Sequence, residues 1–266
     1  MITKRGMGMR RRLSALLAAC VPLLAVAAPA SAHSAQFTAY DNHNYAGVAL
    51  KLVDVNLIRQ IEHPGWLELT SAGNLPPESE FRTVARRAAE RSPGPIVLDF
   101  ENIWLRDDNR QPPVERRVAI WTKLLTWARA EARPGQIVGA YKFLNEVDLR
   151  FEQQAKDLAR LESAFFPQLY TGTDYTHGTW TARLRARIGK ARRIDPAKPV
   201  IAYIWPQYET GQPGAWVPGD RWRAQLDALL REGTNGFVIW GPVRNPPPDA
   251  ASQPWVAQTR QFLDAL

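Results

Sequence analysis

Pro95-Ile96-Val97-Leu98-Asp99-Phe100-Glu101 is a short apolar run, opened by Gly94 and closed by two acids two positions apart. As a β-strand it sends both carboxylates off one face, because side chains alternate along an extended chain. Acids at the C-terminal end of a buried parallel strand sit where α/β folds place their ligands. Two such charges cannot both ionise cheaply, and a partly apolar setting of Phe100 and Trp104 raises one of them further. A carboxyl kept protonated near neutrality can serve as a general acid. The competing possibility is an edge strand in which Asp99 caps a turn and Glu101 is solvated.

The pattern on either side of this strand repeats it. Before it, Phe81, Val84, Ala85 and Ala88 fall at helical spacing; after it, Val114, Val118, Trp121, Leu124, Leu125 and Ala128 do so again, stopped by Pro134-Gly135. Strand-like runs follow at 137–143, 165–170, 200–205 and 236–241, separated by helical segments at about 151–163, 179–193 and 219–232, with a last helix at the C-terminus. Toward the N-terminus, 36–40 reads as a short strand before the turn-forming Asp41-Asn42-His43-Asn44, and 47–53 and 66–69 are weaker strand candidates. Strands alternating with helices imply a parallel sheet with right-handed crossovers. With about seven units and no glycine-rich dinucleotide loop or P-loop, the expectation is a single-domain (β/α) TIM-like barrel of seven to eight strands.

Residues 1–32 have the three-part plan of a secretory signal: basic residues at Lys4, Arg5 and Arg10–Arg12, an apolar run from Leu13 to Ala28, and the small-residue site Ala30-Ser31-Ala32. The expected mature chain is 33–266, exported to the periplasm or the medium. Leu17-Ala18-Ala19-Cys20 also fits a lipid-attachment box, so a lipid anchor at Cys20 stays open beside ordinary cleavage. Outside that segment nothing is long and apolar enough to span a membrane. The signal carries five of the 34 basic residues and no acid, so the net charge of +8 falls to +3 without it. That weakens the case for a nucleic-acid partner, and no motif of that class accompanies it. Cys20 is the sole cysteine, so a mature chain from 33 has no disulfide and depends on its core.

The strand ends bring Asp99, Glu101, Tyr141, Tyr170, Tyr203, Trp205 and Trp240 to one barrel mouth. Tyr203 and Phe237 taken singly read as core; the aromatics as a set match the apolar faces and polar rims of sugar rings. The four histidines, His33, His43, His63 and His177, show no metal spacing, and no Gly-x-Ser-x-Gly serine is present, so neither a metal nor a cofactor is called for. Asn145-Glu146, with Glu209 past the 200–205 strand, allows a conventional retaining acid/base and nucleophile pair; the plainer alternative is a helix-starting Asn145 with Glu146 in the first turn. The basic run from Arg183 to Arg193 reads as a solvated helix face, suited to an acidic polymer only where it meets the mouth.

Several of these stretches together resemble the hyaluronidase family of endo-β-N-acetylhexosaminidases, over roughly residue 70 to the C-terminus with a weaker echo in Phe37 to Tyr45. They are Gly73-Asn74-Leu75, Val97 to Glu101 followed by Trp104, Gly139-Ala140-Tyr141, Phe166-Pro167-Gln168-Leu169-Tyr170 and Gly236 to Gly241. The resemblance implies a secreted barrel hydrolase in which the N-acetyl carbonyl of the sugar attacks its own anomeric carbon. It makes Glu101 the proton donor and then the base, Asp99 the residue that orients the acetamido group, Tyr141 and Tyr170 its supports, and Trp240 a platform for the sugar. One acid then tunes the other instead of facing it across the bond. The family's disulfides and the long stretch after the Tyr141 strand are absent here, so the polysaccharide is left open. A non-catalytic glycan-binding barrel is the alternative from another functional class, and the sequence is silent on oligomeric state.

Overall fold

A computed structural model describes residues 37–242 and 245–266. The expected export segment, its cleavage site and Cys20 lie outside the described residues. The chain runs β1 (Thr38–Asn42), β2 (Val53–Asp54), β3 (Asn56–Arg59), α1 (Trp66–Ser71), α2 (Glu78–Arg91), β4 (Ile96–Asp99), α3 (Val114–Glu131) and β5 (Val138–Ala140). It continues with α4 (Glu152–Ala159), β6 (Thr171–Gly172), α5 (His177–Ile194), β7 (Ile201–Ile204), β8 (Tyr208–Thr210), α6 (Gly219–Arg231), β9 (Gly236–Trp240) and α7 (Pro254–Leu263).

Every residue of β4 is buried, which is why its sequence is an unbroken apolar run and not an alternating one. Ile96, Leu98 and Phe100 join a core with Phe81 of α2 and Trp121 and Leu124 of α3. Val97 points the other way, into a cluster with Tyr40, Tyr141, Phe166, Tyr203 and Val238. The alternation therefore puts Asp99 on the inner side with Val97, and Phe100 among the helices. A matching outer core on the other half gathers Trp180, Trp222, Trp255, Phe237 and Phe262. Stability rests on this packing, at about 25 cal/mol for each Å² of apolar surface taken from water.

The strands form parallel ladders in three groups: β2-β1-β9-β7, β3-β4-β5 and β6-β8. The expected seven to eight strands in one closed barrel are thus not one continuous ladder among the described residues. Isolated bridges and single hydrogen bonds span the gaps. Val55 N donates to Asp41 O and Asn56 N to Pro95 O, both at 2.7 Å, so the 53–59 segment touches β1 with its first half and β4 with its second. On the other side, 165–168 bridges β5 at Tyr141–Phe166 and β7 at Phe165–Val200 and Gln168–Tyr203. Two features break that strand. Pro167 has no N–H to give a ladder, and the Glu162 carboxyl takes the Ala140 N–H at 3.0 Å, where a backbone carbonyl would otherwise sit. Gly139 is required beside it, because a Cβ there would lie 2.4 Å from the Ala164 carbonyl oxygen.

The helices fall close to their predicted spans, with one exception: the helix expected over 151–163 stops at Ala159, after a 3-10 turn at Leu149–Phe151. Residues 66–69, predicted as a strand, are helical in α1: Gly65 turns the chain with φ 79°, His63 stacks on Trp66 at 4.1 Å, and the indole donates to Glu80. Of 47–53, only Val53 is in a strand. No helix of the described residues is long and apolar enough to cross a membrane.

Candidate functional site

The C-terminal ends of β3, β4, β5, β7 and β9 surround a cavity of about 240 Å³. Asp99 and Glu101 both line it, with Tyr141, Tyr170, Tyr203, Trp205 and Trp240. All seven residues singled out from the sequence are thus brought together. Glu101 lies in a turn two residues past the end of the strand, not within it, yet lines the same cavity as Asp99.

Asp99 is 9% exposed and meets Arg59 Nε at 3.2 Å through Oδ2. Burial, and secondarily the charge of Glu101, push its carboxyl up to about 6, against the opposing pull of Arg59 and Lys142. Of the two acids the desolvated one is Asp99, while Glu101 has a side chain 45% exposed and is paired with Lys142 Nζ at 2.9 Å. Phe100 and Trp104 do not supply the apolar setting. Phe100 packs against Trp66, Phe81 and Trp121 behind the strand, and Trp104 lies in a neighbouring cleft. The tyrosines enclose Asp99 instead.

Those phenols form a connected wall. Tyr141 and Tyr170 share a hydrogen bond, and burial raises both well above the ordinary phenol range. Tyr203, fully buried, packs edge-on to Tyr141 at 4.9 Å. Its hydroxyl and Asp99 Oδ1 are enclosed without a hydrogen-bond partner among the described residues. Leaving two such atoms unmet costs about 1–3 kcal/mol each, so both are poised to accept a polar ligand. Opposite, Trp240 stacks with Tyr170 at 5.4 Å and meets Trp205 edge-on at 4.8 Å. Trp205 Nε1 donates to the Tyr45 hydroxyl at 3.0 Å, which fixes the indole.

Four further lining residues are absent from the sequence-based set: Leu57, Arg59, Lys142 and Gln168. Arg59 ends β3 directly beside Asp99 in register, in a stretch between the two weak strand candidates of the sequence. Lys142 follows Tyr141 and takes the left-handed conformation at φ 61°, unusual for a side chain with a Cβ, which aims its amine at Glu101. Glu209 also lines the cavity and accepts from Gln168 Nε2 at 2.9 Å. Glu146 does not line it; it closes a 3-10 turn at Phe143–Glu146, held by Arg106 at 2.8 Å and Lys142 at 3.8 Å. The conventional Glu146–Glu209 pair is not assembled across this cavity. Of the basic helix, Arg185 and Arg193 pair with Glu232 and Glu152, and Arg183 donates to the Tyr170 carbonyl oxygen at 3.0 Å behind the cavity wall. No group of three or more His, Cys, Asp or Glu side chains that could hold a metal occurs among the described residues.

Because Arg59 opposes the effect of burial, Arg59→Met is expected to move the Asp99 carboxyl further up from about 6. Carboxyl-carbon NMR titration reads the shift directly; a fall would mean that the ion pair does not set the charge of this acid.

No protein-family model matches the chain, and no curated protein sequence does. Among solved structures it is similar to bee venom hyaluronidase, at 19% identity and TM-score 0.44, over 80% of this chain and 69% of that one. A second structure of that enzyme, in complex with a hyaluronic acid tetramer, matches with the same identity and TM-score, over 80% of this chain and 67% of that one. D-psicose 3-epimerase with D-tagatose, from Clostridium cellulolyticum H10, matches at 14% identity and TM-score 0.35, over 71% of this chain and 68% of that one.

Proposed function

We propose that this protein is a retaining endo-glycosidase that cleaves an N-acetylhexosamine-containing polysaccharide with the help of the substrate's own acetamido group. The observation that carries this is the shared cavity of Asp99 and Glu101, one acid desolvated and the other solvent-facing, walled by tyrosines and indoles. The motif resemblance to hyaluronidases supplies the assignment of roles. The seven-strand circuit completed by the 53–59 and 165–168 segments supports a TIM-like barrel as the scaffold.

In the proposed first step the acetamido oxygen bonds to the anomeric carbon as the glycosidic C–O bond breaks, and the Glu101 proton passes to the leaving oxygen. Ionised Asp99 stabilises the positive charge that develops on the acetamido nitrogen, and the Tyr203 hydroxyl offers the group a further hydrogen bond. Glu101, now a carboxylate, takes a proton from water as that water opens the cyclic intermediate from the face the leaving group left, so configuration is retained. The Lys142 amine beside Glu101 at 2.9 Å also lies 3.8 Å from Glu146. Trp240 and Trp205 supply apolar faces for the ring. We further infer, from the charged, apolar and small-residue plan of residues 1–32, that the enzyme works outside the cytoplasm as a mature chain from residue 33.

Proton NMR of the first sugar released tests the reaction class. On a β-linked substrate the β-anomer is expected to appear before mutarotation; the α-anomer as first product from that substrate would require a water placed between two opposed carboxylates and would refute the mechanism.

A further inference from the structure

A second cleft, of about 320 Å³, begins where the first ends: Glu101 lines both. Its other walls are Ser71 at the end of α1, Asn102 and Trp104 just past Glu101, and Asp108, Arg110 and Gln111 in the loop before α3. The polar lining is held in place. Asn102 Nδ2 donates to Ser71 Oγ at 2.7 Å and to Thr70 Oγ1 at 2.9 Å, and Gln111 Oε1 accepts from Trp104 N at 3.2 Å. Arg106 stacks over the Trp104 ring at 4.0 Å, and the indole N–H is enclosed with no partner among the described residues. The cations here are already matched: Arg110 grips Asp108 through two contacts of 3.0 and 3.1 Å, and Arg106 pairs with Glu146 at 2.8 Å.

We propose that this cleft is a glycan subsite for an uncharged sugar on the leaving-group side of the scissile bond. The placement rests on the assignment of Glu101 as proton donor in the first cavity. A donor lies beside the oxygen it protonates, so the sugar carrying that oxygen leaves toward the far side of Glu101 from Asp99, into this cleft. An indole ring with an unmet N–H, beside amide and hydroxyl groups, is complementary to the face and rim of a pyranose. Paired arginines leave no excess charge to select a uronate there. A subsite on this side makes the enzyme act within a chain, with at least one neutral ring held beyond the bond that breaks.

The test uses the full-length protein and N-acetylglucosamine oligosaccharides of two to six rings, with product lengths read by chromatography. Trp104→Ala is expected to lower kcat/KM on the hexamer about tenfold and to shift the cut toward the reducing end, with Trp104→Phe recovering most of the loss. Ser71→Trp, at an exposed position, blocks the cleft without touching the core and should reproduce the shift if Trp104→Ala proves unstable. Unchanged product lengths and kcat/KM in folded Trp104→Ala or Ser71→Trp, with wild type active, would overturn the subsite alone. Wild-type enzyme that cleaves an acetamido polysaccharide with alternating uronates but no member of this series would overturn the neutral subsite and leave the hydrolase assignment standing; release of no new reducing ends from either would remove both.

Discussion

Glu101→Gln is expected to lower turnover by about 10²–10⁴-fold while leaving thermal stability unchanged. Glutamine keeps the shape of the side chain and can still hydrogen-bond, but it neither carries a transferable proton nor takes one from water, so both halves of the proposed reaction fail together. The side chain is 45% exposed and its one strong partner is Lys142, so little packing depends on it. Loss of activity with wild-type unfolding would separate a chemical role from a structural one. Activity within a few-fold of wild type would end the assignment of Glu101 as proton donor. A large drop in melting temperature would mean that the Lys142 pair serves to hold the fold.

Glu162→Gln is expected to stabilise the protein at alkaline pH by up to about 4–5 kcal/mol and to change it little at pH 5. The carboxyl is 2% exposed, accepts only the Ala140 N–H, and is pushed up to about 8 by burial. A raised folded-state pKa means that the folded protein binds the proton more tightly than the unfolded chain does. The resulting stabilisation is complete below the ordinary carboxyl range near 4.5, and is lost as pH rises through about 8. Glutamine has no charge to acquire, so its stability curve should run flat across that window while the wild type falls. Denaturant unfolding of both proteins from pH 5 to 9 measures this; parallel curves would place the Glu162 charge in contact with water or a cation. The consequence reaches the cavity, because the N–H that Glu162 holds is that of Ala140, immediately before Tyr141 and Lys142.

The parts of the molecule legible in its sequence are those in which one local pattern dominates. The apolar run of β4, the helical spacing in α2 and α3, and the strand-end aromatics lead directly to the layers and to the mouth they converge on. Trp66 to Leu69 misleads because the leucine-glutamate-leucine alternation suits a strand, while the deciding factors are the left-handed Gly65 just before it and the ring contacts of Trp66 with His63 and Phe81. Which of Asp99 and Glu101 is desolvated was also out of reach. It depends on three tyrosines from three other strand ends and on Glu101 stepping out past the strand. Arg59 and Lys142 belong to no motif, and they enter the site only through register and an uncommon backbone conformation.

The central claim, that a bound sugar's amide does the work of a nucleophile under the control of Asp99 and Glu101, is tested most directly by new reducing ends from a panel of polysaccharides with and without acetamido groups. Wild-type protein is expected to release them only from acetamido-bearing chains, and Glu101→Gln from none. Cleavage that proceeds equally well without the acetamido group, or that survives in Glu101→Gln, would contradict it.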